Sequence, residues 1–374
     1  MLPNPFQKQL PEFKDTDPLK NREIVRELLG PEGVHKYRKI LGDTSDPTPK
    51  QGKEVSKEEL LALAAEARSK TDHLSQDAFR NFFEKHIEDG YDSQIKSLQE
   101  INFLETKDGK RGITAIDKKF YEIPSVDAIK DHFRSIPNIR LKMNQGFTRL
   151  LIVPFGSSLN SLREKTGELI KKHKQENKLL AEDGTELELN KDEPIYALGA
   201  YGNTDKSGTL IYYPERFDRN NHNGRTKTEL LSAAAIFPGY HILLIQENPI
   251  IPRKGKGTAR AGREQIEGGM SPREYLELLK TDPTYSNEQG MTPEDWLTLF
   301  ATNLNQKNKV INDWQPHGDC SSYLIGSYLP DPHNWVSSDH VPNFSWRRDG
   351  KLASMDSHYS GETFENSGAT SAVG

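Results

Sequence analysis

The chain has 374 residues, of which 34% are hydrophobic and 28% charged, with a net charge of −5. That length accommodates two or three domains with modest cores, and the small net charge gives no global argument for nucleic acid as a partner. One cysteine, Cys320, excludes an internal disulfide framework and suits a reducing compartment or a disulfide-free particle.

The N-terminal stretch MLPNPFQKQLPEF lacks the apolar core of a signal peptide. Residues 1–140 are strongly polar and read as a mainly helical region. NREIVRELLG shows helical spacing and closes on Gly30, a C-cap candidate. SKEELLALAAEARSK opens on Ser56 with Glu59 three positions later, a capping-box start, and QDAFRNFFEKHIEDG places Phe79, Phe82, Phe83 and Ile87 on one side. The segment GDTSDPTPKQGKE between the first two of these helices reads as a linker.

From about residue 141 to 374 the pattern becomes that of an α+β body. RLLIVPFG predicts a buried strand, and SSLNSLREKTGELIKKHKQENK predicts a helix with Ser158 at its start and lysines at its end. PIYALGAYG, GTLIYYPERF and YHILLIQENPII are three further strand-like runs. RLLIVPF and YHILLIQ, the longest apolar runs, are too short to span a bilayer. The expectation is a protein without membrane insertion, cytoplasmic or virion-associated.

Two helix starts resemble each other. SPREYLELL and TPEDWLTLF both place Ser or Thr at the N-cap, Pro at the first helical position and an acid at the third, so hydroxyl and carboxylate together satisfy orphan N–H groups. Their faces, Tyr275/Leu276/Leu279 and Trp296/Leu297/Phe300, are read as core, and their spacing suggests a helical hairpin.

PRKGKGTARAGRE, residues 252–264, is the one concentrated basic run. Its glycines and Arg253, Lys254, Lys256, Arg260 and Arg263 would suit a phosphate-binding loop at 253–263, although it matches no phosphate motif and reads first as solvated surface. His317, Asp319 and Cys320 lie close together, with His333, His340 and His358 beyond. One cysteine with scattered histidines matches no zinc spacing, and nothing in the sequence orients His317 to activate Cys320. No metal, cofactor or catalytic residue is assigned; an enzyme using the Cys320/His317 neighbourhood or the basic loop is the alternative.

The segment from His340 to Gly374 mixes Ser, Asp, His, Tyr, Phe, Asn and Gly without clear periodicity. It is either a polar tail or a binding strip, and Phe344, Trp346, Tyr359 and Phe364 favour the strip, because rigid aromatics with adaptable polar neighbours make a paratope-like surface. Ser345–Trp346 followed by KLASMDSHYSGETFENSGATSAVG resembles the closing part of the formylglycine-generating-enzyme type of C-type lectin fold. Leu352, Ala353 and Ser354 fall at one strand of that pattern, and Gly368, Ala369 and Ser371 at its last. Thr370 and Gly374 stand where arginine is usual, and the cysteine pair of the oxidase members is missing, which argues against that activity.

The strip is also similar to that of the variable proteins of diversity-generating retroelements, whose C-terminal lectin-like domain displays residues altered at adenines. GMTPEDWLTLF, VINDWQ, GDCSSYLIGSYLP and SSDHVP resemble the body that precedes the strip in such proteins. The resemblance implies a ligand-binding function in which residues 335–374 carry a hypervariable surface. Its displayed set would be Asn343, Phe344, Ser345, Arg347, Arg348, Asp349, Lys351, Ser354, Asp356, Ser357, His358, Tyr359, Glu362, Thr363, Phe364 and Asn366. Trp346, Leu352, Ala353, Gly368, Ala369 and Ala372 would form the scaffold, and the partner would be a protein or surface ligand of unspecified identity.

Overall fold

A computed structural model describes residues 57–198, 210–233, 235–247, 251, 259–314, 320–330 and 339–374, with side chains from residue 79 onward apart from that of residue 314. The chain divides into two compact units, Met1–Asp72 and His73–Gly374. In the first, the described residues are helical; the expected helix ending at Gly30, the Ser56 cap and the 43–54 linker lie outside them.

The second unit is α+β. The expected helices on either side of residue 75 are one element, α1 (Lys57–Glu100). After it come β1 (Glu105–Lys107), β2 (Lys110–Thr114) and β3 (Phe120–Glu122), an antiparallel three-stranded sheet. Asp108 and Gly109, both at positive φ, make the tight β1–β2 turn. Next come α2 (Val126–Ser135), α3 (Ile139–Asn144), β4 (Phe147–Val153), α4 (Leu159–Gln175), β5 (Ile195–Ala197), β6 (Ile211–Tyr212), α5 (Lys227–Ser232) and β7 (His241–Gln246). β8 (Ala259–Arg260), β9 (Arg263–Glu264), α6 (Pro272–Thr281), β10 (Gln289–Gly290) and α7 (Pro293–Lys307) continue the chain. The last part holds β11 (Asp313–Trp314), β12 (Ser321–Tyr323), β13 (Ser327–Tyr328), β14 (His340–Arg347), β15 (Leu352–Tyr359), β16 (Ser367–Ala369) and β17 (Ser371–Ala372).

The boundary expected near residue 140 is not a packing boundary. Phe83, Ile87, Leu98 and Phe133 share one core with Leu151, Leu244, Trp296 and Phe344, which removes the apolar face of α1 from water. Ser158 caps α4 by accepting from the Ser161 amide, and Lys172, His173 and Lys174 stand in the last turn, favourable for the helix dipole. Both capping boxes of the related starts are formed, by Ser271 with Glu274 and by Thr292 with Asp295. Between them lie a 3-10 turn, Pro283–Tyr285, and β10, so the two helices are not joined as a simple hairpin.

The sheet that positions the C-terminal strip has the order β16-β12-β14-β15-β5, with β11 pairing β14 beyond the end of β12. β14 and β15 are antiparallel over eight pairs, among them Asn343 with Asp356, Phe344 with Met355, Ser345 with Ser354 and Trp346 with Ala353. Phe344, Trp346, Ala353 and Met355 face the main core. There Trp296 of α7 stacks on Phe344 at 3.4 Å between ring centroids, and Phe300 packs against Phe344 and Trp346. Asn312, in the left-handed region at φ 54°, serves this stack. Its side-chain oxygen accepts from Trp296 Nε1 at 3.0 Å and Ser322 Oγ at 3.2 Å, and its carbonyl accepts from the Trp346 amide.

A second fixed point is buried Glu288. One carboxylate oxygen accepts from Lys142 Nζ at 2.7 Å and Arg263 Nε at 2.8 Å; the other accepts from Arg263 Nη2 at 2.7 Å and Ser371 Oγ at 2.6 Å. Burial alone would raise the Glu288 pKa, but Arg263, Lys142 and Ser371 outweigh it and hold the carboxyl below its ordinary range. Arg263, expected on a solvated basic loop, is therefore a buried structural cation, its guanidinium also lying over the rings of Phe147 and Tyr285.

Trp296→Ala is expected to cost about 3–5 kcal/mol, read from urea unfolding of the full chain. Glu288→Gln leaves two buried cations without a full counter-charge and is expected to cost about 3–5 kcal/mol at neutral pH. Because the folded-state pKa of Glu288 is lowered, its contribution is complete above the unfolded carboxyl's range and is lost as pH falls through the folded value. The urea midpoint of Glu288→Gln should therefore decline less between pH 6 and pH 3 than that of the parent chain.

Candidate functional site

Side chains alternate across a strand, so the face opposite the Phe344/Trp346 core is built by the other residues of β14 and β15. The register puts Asn343 beside Asp356, Ser345 beside Ser354, Arg347 beside Leu352, and Val341 beside His358. On the flanking strands, Tyr196 of β5 pairs with Ser354 and Tyr323 of β12 pairs with Asn343. The result is a mainly polar face on an apolar-backed sheet, flanked by Tyr196 and by Tyr323, with Val341 and Tyr323 buried in a second, smaller core.

Electrostatics along this face are mixed in sign. Arg347 holds Asp349 through two hydrogen bonds, at 2.9 and 3.3 Å, which raises the arginine pKa and lowers that of the aspartate. Burial raises the Tyr196 phenol, with the charge of Asp356 adding to the effect. The His358 imidazole is pushed below its ordinary value by burial, against the opposing pull of Asp356 and Glu362. Its ring lies 4.7 Å from that of Phe364 and 5.9 Å, edge to face, from that of Tyr323. The face can supply hydrogen bonds, ring contacts and charges of both signs. Among the described residues, no group of three or more His, Cys, Asp or Glu side chains is placed to hold a metal ion.

The displayed set read from the sequence divides three ways. Arg347, Asp349, Lys351, Tyr359, Glu362, Thr363 and Phe364 are exposed, and Arg348, Asp356, Ser357, His358 and Asn366 are half-buried. Phe344 is wholly buried in the Trp296 stack, so it is core and not surface. Asn343, Ser345 and Ser354 also lie buried, Asn343 donating to Ser321 Oγ at 3.0 Å; they floor the face and are not displayed at its rim. Arg348 is drawn away by a bidentate pairing with buried Asp313 of β11. Ser357 and Tyr359 fall on the opposite parity, Ser357 against His340 at 3.1 Å. Of the scaffold residues, Trp346, Ala353, Gly368, Ala369 and Ala372 are buried and Leu352 half-buried.

Of the alternative site, only Cys320 and the end of the basic loop fall among the described residues. Cys320 is half-buried and its thiol donates to the Ile251 carbonyl at 3.0 Å, while His317, Asp319 and residues 252–258 lie outside the described residues. Arg260 sits in the β8–β9 hairpin.

Sequence reading missed a buried cluster at the start of α7. Asp295 accepts the Thr292 amide with one carboxylate oxygen and meets His241 Nδ1 at 2.8 Å with the other, and the Tyr213 hydroxyl lies 3.1 Å from both imidazole nitrogens. Next to it, Glu294 binds Lys227 at 2.8 Å and Tyr212 at 2.6 Å through one oxygen; its other oxygen is buried without a hydrogen-bond partner. Phe155 stacks on His241 at 3.8 Å, and Tyr213 stands at φ 52°, a conformation a bulky residue adopts only when its surroundings impose it. The signal available in the sequence was the PED of the capping box, which was read only as a helix start.

Comparison of the chain with family models, with curated proteins and with solved structures gives no significant match. No helix among the described residues is long and apolar enough to cross a membrane.

Two substitutions separate these clusters. Lys227→Met removes the cation that neutralises buried Glu294 and is expected to cost about 3–5 kcal/mol. Cys320→Ala removes one weak hydrogen bond and a small side chain, with an expected loss of about 1–2 kcal/mol. Thermal and urea unfolding of both variants check the order.

Proposed function

We propose that this protein is a ligand-binding protein whose C-terminal residues form a diversified display surface on a C-type-lectin-like scaffold, in the manner of the variable proteins of diversity-generating retroelements. One observation carries the reading: the β14–β15 register turns Phe344, Trp346, Ala353 and Met355 to the main core and Asn343, Ser345, Arg347, Ser354, Asp356 and His358 to the other side, where Val341 and Leu352 are the apolar members. Side chains of the polar set can therefore change without disturbing the Trp346/Phe344 packing, which is the physical requirement for a surface that tolerates many sequences. The rim residues Arg347, Asp349, Lys351, Glu362, Thr363 and Phe364 are the ones free to vary most, and the buried floor of Asn343, Ser345 and Ser354 is restricted to small or hydrogen-bonding residues.

Support for retroelement diversification comes from composition and from the resemblance of the closing segment; the sheet geometry supports display itself. Ligand identity would change with the rim, and aromatic or arginine members would dominate its energetics.

The test is a combined replacement of Arg347, Asp349, Lys351, Glu362 and Thr363 by serine, compared with Trp346→Ala. The five-fold variant should keep a melting temperature within a few degrees of the parent, because exposed substitutions each change stability by about 0.5 kcal/mol or less. Trp346→Ala should lose about 3–5 kcal/mol. Equal collapse of both would show that the rim is part of the core. For diversification, a near-copy of the codons for residues 335–374, differing at adenines and beside a reverse-transcriptase gene, is expected in the neighbouring DNA.

A further inference from the structure

On the β12 side of the mainly polar face, three rings group together. His358 lies between Phe364, 4.7 Å away with the planes inclined at 50°, and Tyr323, 5.9 Å away at 84°. Phe364 is 41% exposed, so one ring of the group is open to a partner, whereas Tyr323 is fully buried and fixed by the second core. The Tyr323 hydroxyl is buried, with the Ser367 side chain beside it. Glu362 is exposed on the β15–β16 loop, and both it and Asp356 act electrostatically on His358. Arg273, hydrogen-bonded to Ser360 at 3.2 Å beyond the end of β15, also lies 3.9 Å from Asp339.

Ring faces carry negative potential and attract a cation placed over them, and a carboxylate beside the rings adds to that attraction. An anion or a carboxylate-bearing ligand would meet repulsion from Glu362 and Asp356. A purely apolar ligand would cover Phe364 but bury Glu362 without a counter-charge, which is costly.

We propose that the His358/Phe364/Tyr323 ring group with Glu362 is a subsite for a cationic side chain, arginine above all, presented by a protein partner. The planar guanidinium suits this place better than a lysine ammonium, since it stacks on an exposed ring while its fork donates to a carboxylate. Arg347 and Asp349, at the turn end of the face, would meet the less specific rim of the same partner. The inference rests on the display reading and narrows the chemistry of one end of that surface.

The experiment uses the full chain and two small probes, acetyl-arginine amide and its uncharged near-isostere acetyl-citrulline amide. Each is titrated while the side-chain NMR signals of His358 and Phe364 are followed. The arginine probe is expected to shift both signals saturably and to bind at least about ten-fold more tightly than citrulline. Phe364→Ala and Glu362→Gln should each weaken the arginine probe by about five-fold or more, with unfolding midpoints unchanged because both residues are exposed. Equal binding of the two probes, shifts confined to residues away from His358 and Phe364, or unchanged affinity in both variants would overturn the subsite. A failed subsite in a chain whose rim still tolerates five-fold replacement leaves the display reading standing; collapse of the five-fold variant removes that reading whatever the probes do.

Discussion

The stack of Trp296 on Phe344 is the contact through which the C-terminal strands acquire a fixed orientation. It joins the first turns of α7 to the middle of β14, and at 3.4 Å between centroids the two rings are in full face contact. Because strand side chains alternate, fixing Phe344 inward fixes Asn343 and Ser345 on the opposite side, and the cross-strand register passes the same choice to Ser354 and Asp356. A slip of one residue would exchange the two faces completely. Asn312 guards against such a slip by reading the indole of Trp296, the hydroxyl of Ser322 and the amide of Trp346 at once.

Around that contact the molecule uses buried charge with unusual economy of position. Glu288 gathers cations from α3 and β9 and a hydroxyl from β17, while Glu294 and Asp295 gather Lys227, Tyr212 and His241 at the head of α7. Each cluster ties together segments far apart in sequence, and each is costly to leave half-paired. The helix dipole favours the two carboxylates at the N-terminus of α7, which lets a cap residue serve also as a tertiary partner. Tyr213, held at positive φ beside His241, shows how tightly that corner is determined.

Local rules read from the sequence apply where the interactions are local. The helix caps at Ser158, Ser271 and Thr292 depend on neighbours within a few residues, and β4 and β7, which pair with each other, are marked by continuous apolar runs; all are found where spacing puts them. The strip was harder to read: its period-2 pattern is obscured because both faces of β14 are buried, one under apolar rings and one with serine and asparagine. Phe344 therefore looked like one more aromatic of a binding surface until Trp296, almost fifty residues earlier, was seen to cover it. Arg263 and the His241/Asp295 pair were invisible for a similar reason, since their partners are set by the tertiary fold and not by any motif. A basic residue among glycines gives no sign of a carboxylate such as Glu288 waiting in another element.

The closing strand adds a constraint on how the protein is made. Val373 is buried and exchanges two backbone hydrogen bonds with Leu244 of β7, and Ser371 and Ala372 pair with β10. β7 thus waits, during synthesis, for a segment that emerges from the ribosome only after β14 and β15 have been translated. A chain interrupted in the strip, or shifted out of frame within it, lacks this closure and leaves Leu244 and its neighbours bare to chaperones and proteases. Folding therefore couples the pairing of β7 to translation through β14 and β15, since Leu244 meets Val373 only once both strands have been made.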